Sequence, residues 1–187
     1  MDEYRFWRPR RYYDIVGARR LPDGIEIRNV VPGEDDAELV TAYLEAFADH
    51  YGMIQQPFNV ELEEWRSLMQ QDDFDASLWF LAHVVEDDTI AGFCVCRATS
   101  HRDSERGTIN DLGVRPAWRK RGIGQALLSQ AFAELKRRAI KGAALILIRG
   151  TNRERRRSTS AWGCGRHKRA TRTYVKELRP GVNLVPQ

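Results

Sequence analysis

Apolar positions three and four residues apart mark two helices in this chain. Leu39, Val40, Tyr43, Leu44 and Phe47 line one face of a helix over 35–49, and Ala126, Leu127, Leu128, Ala131, Phe132 and Leu135 line another that starts near 123. The second ends in Lys136, Arg137 and Arg138, cations at the negative end of the helix dipole. A third helix is predicted with Asn59 as its N-cap and Leu62, Trp65, Leu68 and Met69 turned inward. Strands fill the spaces between. Ile25, Ile27 and Val30 begin one that Pro32 and Gly33 end. Residues 78–85 and 89–98 form a hairpin across Asp87 and Asp88, with Gly92 as a bulge. Residues 108–114, Ala143–Ile148 and 174–178 read as three more strands. From residue 25 to Ile148 the order is β-α-α-β-β-β-α-β, which places the chain in the α/β (α+β) class.

The stretch between the 108–114 strand and the helix after it carries the clearest chemistry. Pro116 breaks the strand, and the loop then reads Arg119, Lys120, Arg121, Gly122, Ile123, Gly124. Glycines leading into a helix expose backbone N–H groups at the positive end of its dipole, where a phosphate is stabilised. Gly122 and Gly124 remove side chains that would hold a pyrophosphate away, and Arg119 and Arg121 add charge-assisted donors. Neither the G-x-G-x-x-G nor the G-x-x-x-x-G-K-[ST] signature of other nucleotide sites is present.

What is present is Val114-Arg115-Pro116 followed by Arg119-x-x-Gly122-x-Gly124-x-Ala126-Leu127. This strand–loop–helix pattern resembles the acetyl-CoA-binding motif of the GCN5-related N-acetyltransferases. The resemblance covers most of 25–148 and implies a mixed, twisted sheet of about six to seven strands with about three to four helices, its central strands splaying to admit the cofactor. It implies that Leu112, Gly113 and Val114 pair their backbone with the pantetheine amides of acetyl-CoA, and that Arg119, Lys120, Arg121, Gly122, Ile123, Gly124 and Gln125 hold the pyrophosphate. It places acceptor recognition on the first two helices and their loop, which makes Asp49, His50 and Tyr51 the substrate-site candidates. For His50 the alternative is a helix-end histidine favoured by the dipole. The His50-Tyr51-Gly52 ending of the first helix further resembles tandem acetyltransferases related to mycothiol synthase. On that resemblance 1–22 is a flank, with Tyr4, Arg5, Phe6, Trp7 and Arg8 as the remnant of a preceding domain, 23–180 is the acetyltransferase domain, and 181–187 is a tail.

Transfer to an amine needs positioning and the removal of one proton. Family members often carry a glutamate on the 108–114 strand. Thr108 and Asn110 cannot serve as bases at neutral pH, and strict alternation turns Asp111 to the face opposite Asn110. Asp111 is therefore the candidate catalytic base, with a structural carboxylate or a water-relayed route as the alternatives. Trp65 and Phe80 read as core aromatics rather than pocket walls.

Composition narrows the function classes. No apolar run approaches a membrane span, and no signal peptide follows Met1, so a cytoplasmic protein without membrane contact is expected. The three cysteines, Cys94, Cys96 and Cys164, form no disulfide framework. Cys94 and Cys96 share one strand face as core thiols, and no metal site is expected. The net charge of +4 is uneven, because residues 149–172 hold nine Lys or Arg against the single acid Glu154. A nucleic-acid-binding module through 149–172 is the alternative of another class. It is disfavoured because Trp162 is the only stacking aromatic there.

The same basic segment departs from the family pattern. The resemblance implies an asparagine after the fifth strand, then a helix with a Leu-Tyr pair and a Gly-Met or Gly-Phe ending, the tyrosine protonating the leaving thiolate. Residues 147–169 contain no tyrosine, and 153–157 hold four arginines and one glutamate, which leaves a helix there without an apolar face. A shift of reading frame accounts for this. Pairing the third base of each codon with the first two of the next, from Leu145 to Gly165, permits D-T-D-S-G-N-E-P-G-A-A-A-L-Y-E-R-V-G-M-R. Trp162 with Gly163 forces a glycine, Gly163 with Cys164 permits the methionine, and Ser158 with Thr159 permits the tyrosine. Segment 145–170 is thus atypical and reads as out of frame. The expected function is an acetyl-CoA-dependent N-acetyltransferase acting on a primary amine of a small molecule, a protein N-terminus or a lysine. An acyl-CoA-binding domain with little turnover is the first alternative. A homodimer and a missing tandem domain are both left open.

Overall fold

Alternating and continuous apolar runs pair into one sheet flanked on both faces by helices. A computed structural model of the chain describes residues 21–49, 56–99, 106–140 and 143, and the backbone of 2–6 and 144–148. In chain order the elements are β1 (Asp2–Phe6), β2 (Ile25–Asn29), α1 (Asp36–Phe47), α2 (Phe58–Met69), β3 (Trp79–Val84), β4 (Ile90–Arg97), β5 (Gly107–Val114), α3 (Ile123–Arg137) and β6 (Ala143–Ile148). The sheet order is β1-β6-β5-β4-β3-β2. Neighbours are antiparallel except β5 and β6, which run parallel on either side of the α3 crossover. The fold is the mixed α/β arrangement that the element order predicts from residue 25 to Ile148.

Two local expectations are corrected and one strand is added. The N-cap of α2 is Pro57, with an extended ψ of 141°, and Asn59 lies inside the first turn, so proline before the helix rather than an amide side chain sets its start. The β3–β4 irregularity falls at Ala91, since Ala82 pairs with Gly92 and His83 with Ile90. Residues 2–6, aperiodic in sequence, form an edge strand antiparallel to β6, with Asp2 opposite Ile148 and Phe6 opposite Ala144. An edge strand is held by backbone hydrogen bonds, so it needs no side-chain period to form. The readings made on His50, Tyr51, Gly52, Cys164, the basic 149–172 segment, the 174–178 strand and the tail lie outside the described residues.

The two faces of the sheet differ. Under α1 and α2 lies an aromatic layer of Tyr43, Phe47, Trp65, Trp79 and Phe93, with Tyr43 and Trp65 centroids 5.1 Å apart and Trp65 edge-on to Phe93 at 6.2 Å. Trp65 and Phe80 are buried, as expected of core aromatics. On the other face α3 contributes the aliphatic Ile123, Leu127, Leu128, Ala131 and Leu135, all nearly inaccessible. Cys94 and Cys96 are buried free thiols with their sulfurs 3.6 Å apart.

Glycines mark where the faces exchange. A Cβ on Gly107 would meet Leu135 of α3 at 2.9 Å, whereas one on Gly113 would meet the Phe93 ring at 2.5 Å and Ala46 of α1 at 3.0 Å. Residues six apart on an unbroken strand face the same side, so β5 must change parity between them. Gly113→Ala is expected to lower stability by about 1–3 kcal/mol through overpacking against Phe93. A thermal midpoint unchanged from the parent protein would contradict that packing.

Candidate active site

The parity change is a bulge at Asn110. Val95 pairs with Asp111 and Cys96 with Ile109, which leaves Asn110 as the extra residue on β5. Its Oδ1 is buried and has no hydrogen-bond partner among the described residues. Strict alternation, on which the expected orientation of Asp111 rested, therefore fails at this point. Asp111 shares the α1/α2 side of the sheet with Gly113, and its electrostatic neighbours there are Tyr43 and Glu61.

At the same bulge β5 leaves β6. The parallel ladder pairs Gly107 with Ala143, Thr108 with Ala144 and Ile109 with Leu145, and then stops. On the other side β4 stays paired with β5 as far as Val114. The second edge of Asn110 to Val114, which includes Leu112 and Gly113, is thus free of any strand among the described residues. Backbone donors and acceptors along an open edge are ready to pair with an extended, amide-bearing ligand.

Just beyond that edge the chain turns into α3. The short 3-10 turn Pro116–Trp118 is followed by Arg119 in extended conformation, Lys120 at φ 65° and Gly122 at φ 87°. Gly122 is the N-cap of α3, and no side chain caps the helix. The first helical bonds run from Gln125 N–H and Ala126 N–H to the Gly122 carbonyl, at 3.1 and 3.0 Å. The N–H groups of Ile123 and Gly124 stand ahead of them at the positive end of the dipole. A Cβ built on Gly122 would meet nothing within 4 Å, so the space over the loop is open. Alternating left-handed residues that turn N–H groups inward make an anion-binding concavity. The Arg121 guanidinium lies over the Trp118 ring, 4.8 Å from its centroid. Lys120 and Arg121 are exposed. This cradle fits a pyrophosphate, and the adjoining edge fits a pantetheine chain.

Arg119 is placed differently from its neighbours. Its Nε donates to the Val114 carbonyl (3.1 Å), one terminal nitrogen to Asp49 (2.6 Å), and the other to Asp49 (3.0 Å) and the Ala46 carbonyl (2.9 Å). Asp49, read from sequence as an acceptor-site residue, is thereby joined to the loop ahead of α3. On the other side of the 3-10 turn, Arg115 forks onto Glu45 (2.8 Å twice) and reaches Glu38 at 2.7 Å.

Titratable groups gather on the α1/α2 side of the splay. Burial, and secondly the charge of Glu61, push the Asp111 carboxyl up to about 6. Glu61 is 6% exposed, and its pKa is raised by burial and by Glu64, although the Trp65 indole donates to it. Burial, then Asp111 and Glu61, drive the Tyr43 hydroxyl well above its ordinary value. A carboxylate poised near 6 is ionised at neutral pH yet basic enough to accept a proton. Sequence reasoning singled out Asp111 but not Glu61. The available signal was its i,i+4 spacing from Trp65, which puts both on the inward face of α2. No group of three or more His, Cys, Asp or Glu among the described residues is arranged to hold a metal ion. No helix there is long and apolar enough to cross a membrane.

Comparison with known proteins agrees with this geometry. The profile of the acetyltransferase (GNAT) family matches residues 39–158. A mycothiol acetyltransferase of Thermobispora bispora is 30% identical over 138 residues, covering 72% of this chain and 45% of that protein. The chain thus spans less than half the length of this relative. A GCN5-related N-acetyltransferase structure from Sphaerobacter thermophilus superposes with a TM-score of 0.64 at 29% identity, over 84% of this chain and 47% of that one. The PaiA N-acetyltransferase of Thermoplasma acidophilum, solved with coenzyme A, shares the fold at a TM-score of 0.56 and 21% identity, over 73% of this chain and 87% of that one. The family profile covers well over half of the chain: the chain belongs to the acetyltransferase (GNAT) family.

Proposed function

We propose that this domain is an acetyl-CoA-dependent N-acetyltransferase acting on a primary amine. The observation that carries the reading is the open β5 edge ending beside the uncapped, left-handed loop at Gly122. Acetyl-CoA, when bound, supplies an activated acyl group. Leu112, Gly113 and Val114 orient its pantetheine by backbone pairing. The loop from Lys120 to Gln125 takes the pyrophosphate through N–H groups and the α3 dipole. The acceptor amine approaches from the α1/α2 side, where Asp111 removes its proton and Glu61 keeps Asp111 basic. Family likeness to a mycothiol acetyltransferase supports an amine on a small molecule, and the chain's share of that relative's length supports a tandem partner domain.

The missing tyrosine favours a second reading, an acyl-CoA-binding domain with little turnover. A coenzyme A release assay over a panel of small amines, lysine peptides and α-amino peptides separates the two. Release at about 1–10³ per second supports the enzyme, and saturable binding without release supports the binding domain. Gly122→Val tests the site itself. A β-branched residue at φ 87° is strained, and its side chain fills the open cradle. Acetyl-CoA affinity is expected to fall by at least tenfold by calorimetry, and an unchanged affinity would remove the loop from the site.

A further inference from the structure

The sequence offers Arg119 as a phosphate ligand, but its geometry points elsewhere. A guanidinium has five N–H groups. Arg119 commits four hydrogen bonds to protein, at 2.6 to 3.1 Å, reaching the end of β5 at Val114, the last turn of α1 at Ala46, and Asp49 just beyond that helix. The Ala46 carbonyl is one of the last four of α1, so the contact also helps close the helix end. The fork onto Asp49 is the planar, bidentate arrangement that lysine cannot reproduce. Arg115 makes a second fork onto Glu45, next to Ala46 on α1, and reaches Glu38 seven residues earlier on the same side of that helix. The 3-10 turn between the two arginines is therefore fastened to α1 at both ends. The phosphate-facing groups of the loop are backbone N–H groups, and their position depends on where this turn is held.

We propose that Arg119 is a positioning residue, a latch through Asp49 and Ala46 that fixes the cofactor loop to the acceptor-side helix α1. The coupling makes the loop geometry and the end of α1 a single unit, so ordering one orders the other. The inference rests on the acetyl-CoA reading of the loop.

Acetyl-CoA affinity measured without an amine distinguishes the latch from a direct phosphate contact by sign. Asp49 is an exposed carboxylate beside a site for a polyanion. If Arg119 bound phosphate itself, Asp49→Asn would free it, remove a repelling charge and tighten binding. The latch predicts the reverse: Asp49→Asn weakens acetyl-CoA binding by about fivefold or more. Arg119→Lys, which keeps the charge and loses the fork, is expected to weaken it comparably. In the double variant Asp49→Asn/Arg119→Ala the loss is expected to equal that of Arg119→Ala alone. Thermal melts of each variant establish that the fold is retained, and Asp49, lying outside α1, is the substitution least able to disturb it. Tighter or unchanged binding by Asp49→Asn, full function in Arg119→Lys, or additive losses would each overturn the latch while leaving the loop as the binding site. No binding by the unsubstituted protein, under conditions where its melt is cooperative, would overturn the reading of the loop and the latch with it.

Discussion

Asp111→Asn is expected to lower kcat/KM for the amine by about 10²–10⁴-fold and, at neutral pH, to make the protein more stable. Both effects follow from one environment. Burial beside Glu61 holds the carboxyl near 6, above the ordinary aspartate value of 3.8. The folded state thus prefers the protonated form. Its contribution to stability is complete below the unfolded value near 4 and is lost as pH rises through about 6. At pH 7 the ionised, half-buried group opposes folding, and an amide of the same shape does not. With a shift of roughly two units and partial exposure, the gain is on the order of 1–3 kcal/mol. The rate should rise with pH to a plateau above about 6 in the parent protein, and that limb should disappear in Asp111→Asn. Thermal midpoints at pH 4 and pH 7 provide the second check, since the advantage of the variant shrinks at the lower pH. An Asn variant with unchanged kcat/KM and an intact limb would remove Asp111 from the proton path. A residue that costs stability and supplies reactivity is what a catalytic position predicts.

The second large effect concerns the last four residues of β6 and the segment that follows. Replacing 145–165 by the shifted reading D-T-D-S-G-N-E-P-G-A-A-A-L-Y-E-R-V-G-M-R, with the frame restored near 167–171, is expected to raise amine acetylation by about 10²–10⁴-fold. That is the usual contribution of a positioned general acid, here the tyrosine that the shifted frame returns. The restored stretch has the small and apolar residues of a helix able to cover the sheet, whereas residues 149–160 are arginine and small or polar residues without an apolar face. Changing the restored tyrosine to phenylalanine should forfeit most of the gain, which separates acid catalysis from improved packing. The coding DNA gives an independent answer. Codons at 158–159 that cannot yield tyrosine when read one base out of step, or at 150–151 that cannot yield asparagine, refute the frame account.

What the sequence made legible was local. The loop from Arg119 to Gly124 announces itself because its glycines, its cations and the helix after it are contiguous. The apolar period of α3 and the hairpin around Asp87 and Asp88 are equally self-contained. The bulge at Asn110 was not legible, because it is a mismatch between β5 and two residues of β4, Val95 and Cys96, and belongs to neither strand alone. The partners of Arg119 were hidden for the same reason: Ala46 and Asp49 lie 73 and 70 residues away. A guanidinium in a basic loop invites a phosphate in sequence, and only the packed fold shows its hydrogen bonds already directed at α1. Glu61 shares its helix with Glu63 and Glu64, and only burial in the packed fold distinguishes it and couples it to Asp111. The edge strand at Asp2–Phe6 was missed because backbone pairing to β6 leaves no periodic trace. In each case the missing information is a long-range contact, and the functional consequence sits at that contact.

Amide hydrogen exchange of the full chain, with and without saturating acetyl-CoA, tests the central claim most directly, because it reads the backbone groups assigned to the cofactor without requiring turnover. The account predicts new protection at Leu112, Gly113 and Val114 and at the loop from Lys120 to Gln125, with smaller protection at the end of α1 around Asp49. Protection confined to the arginine-rich 149–172 segment, or none at β5 and the loop when acetyl-CoA binds, would contradict it.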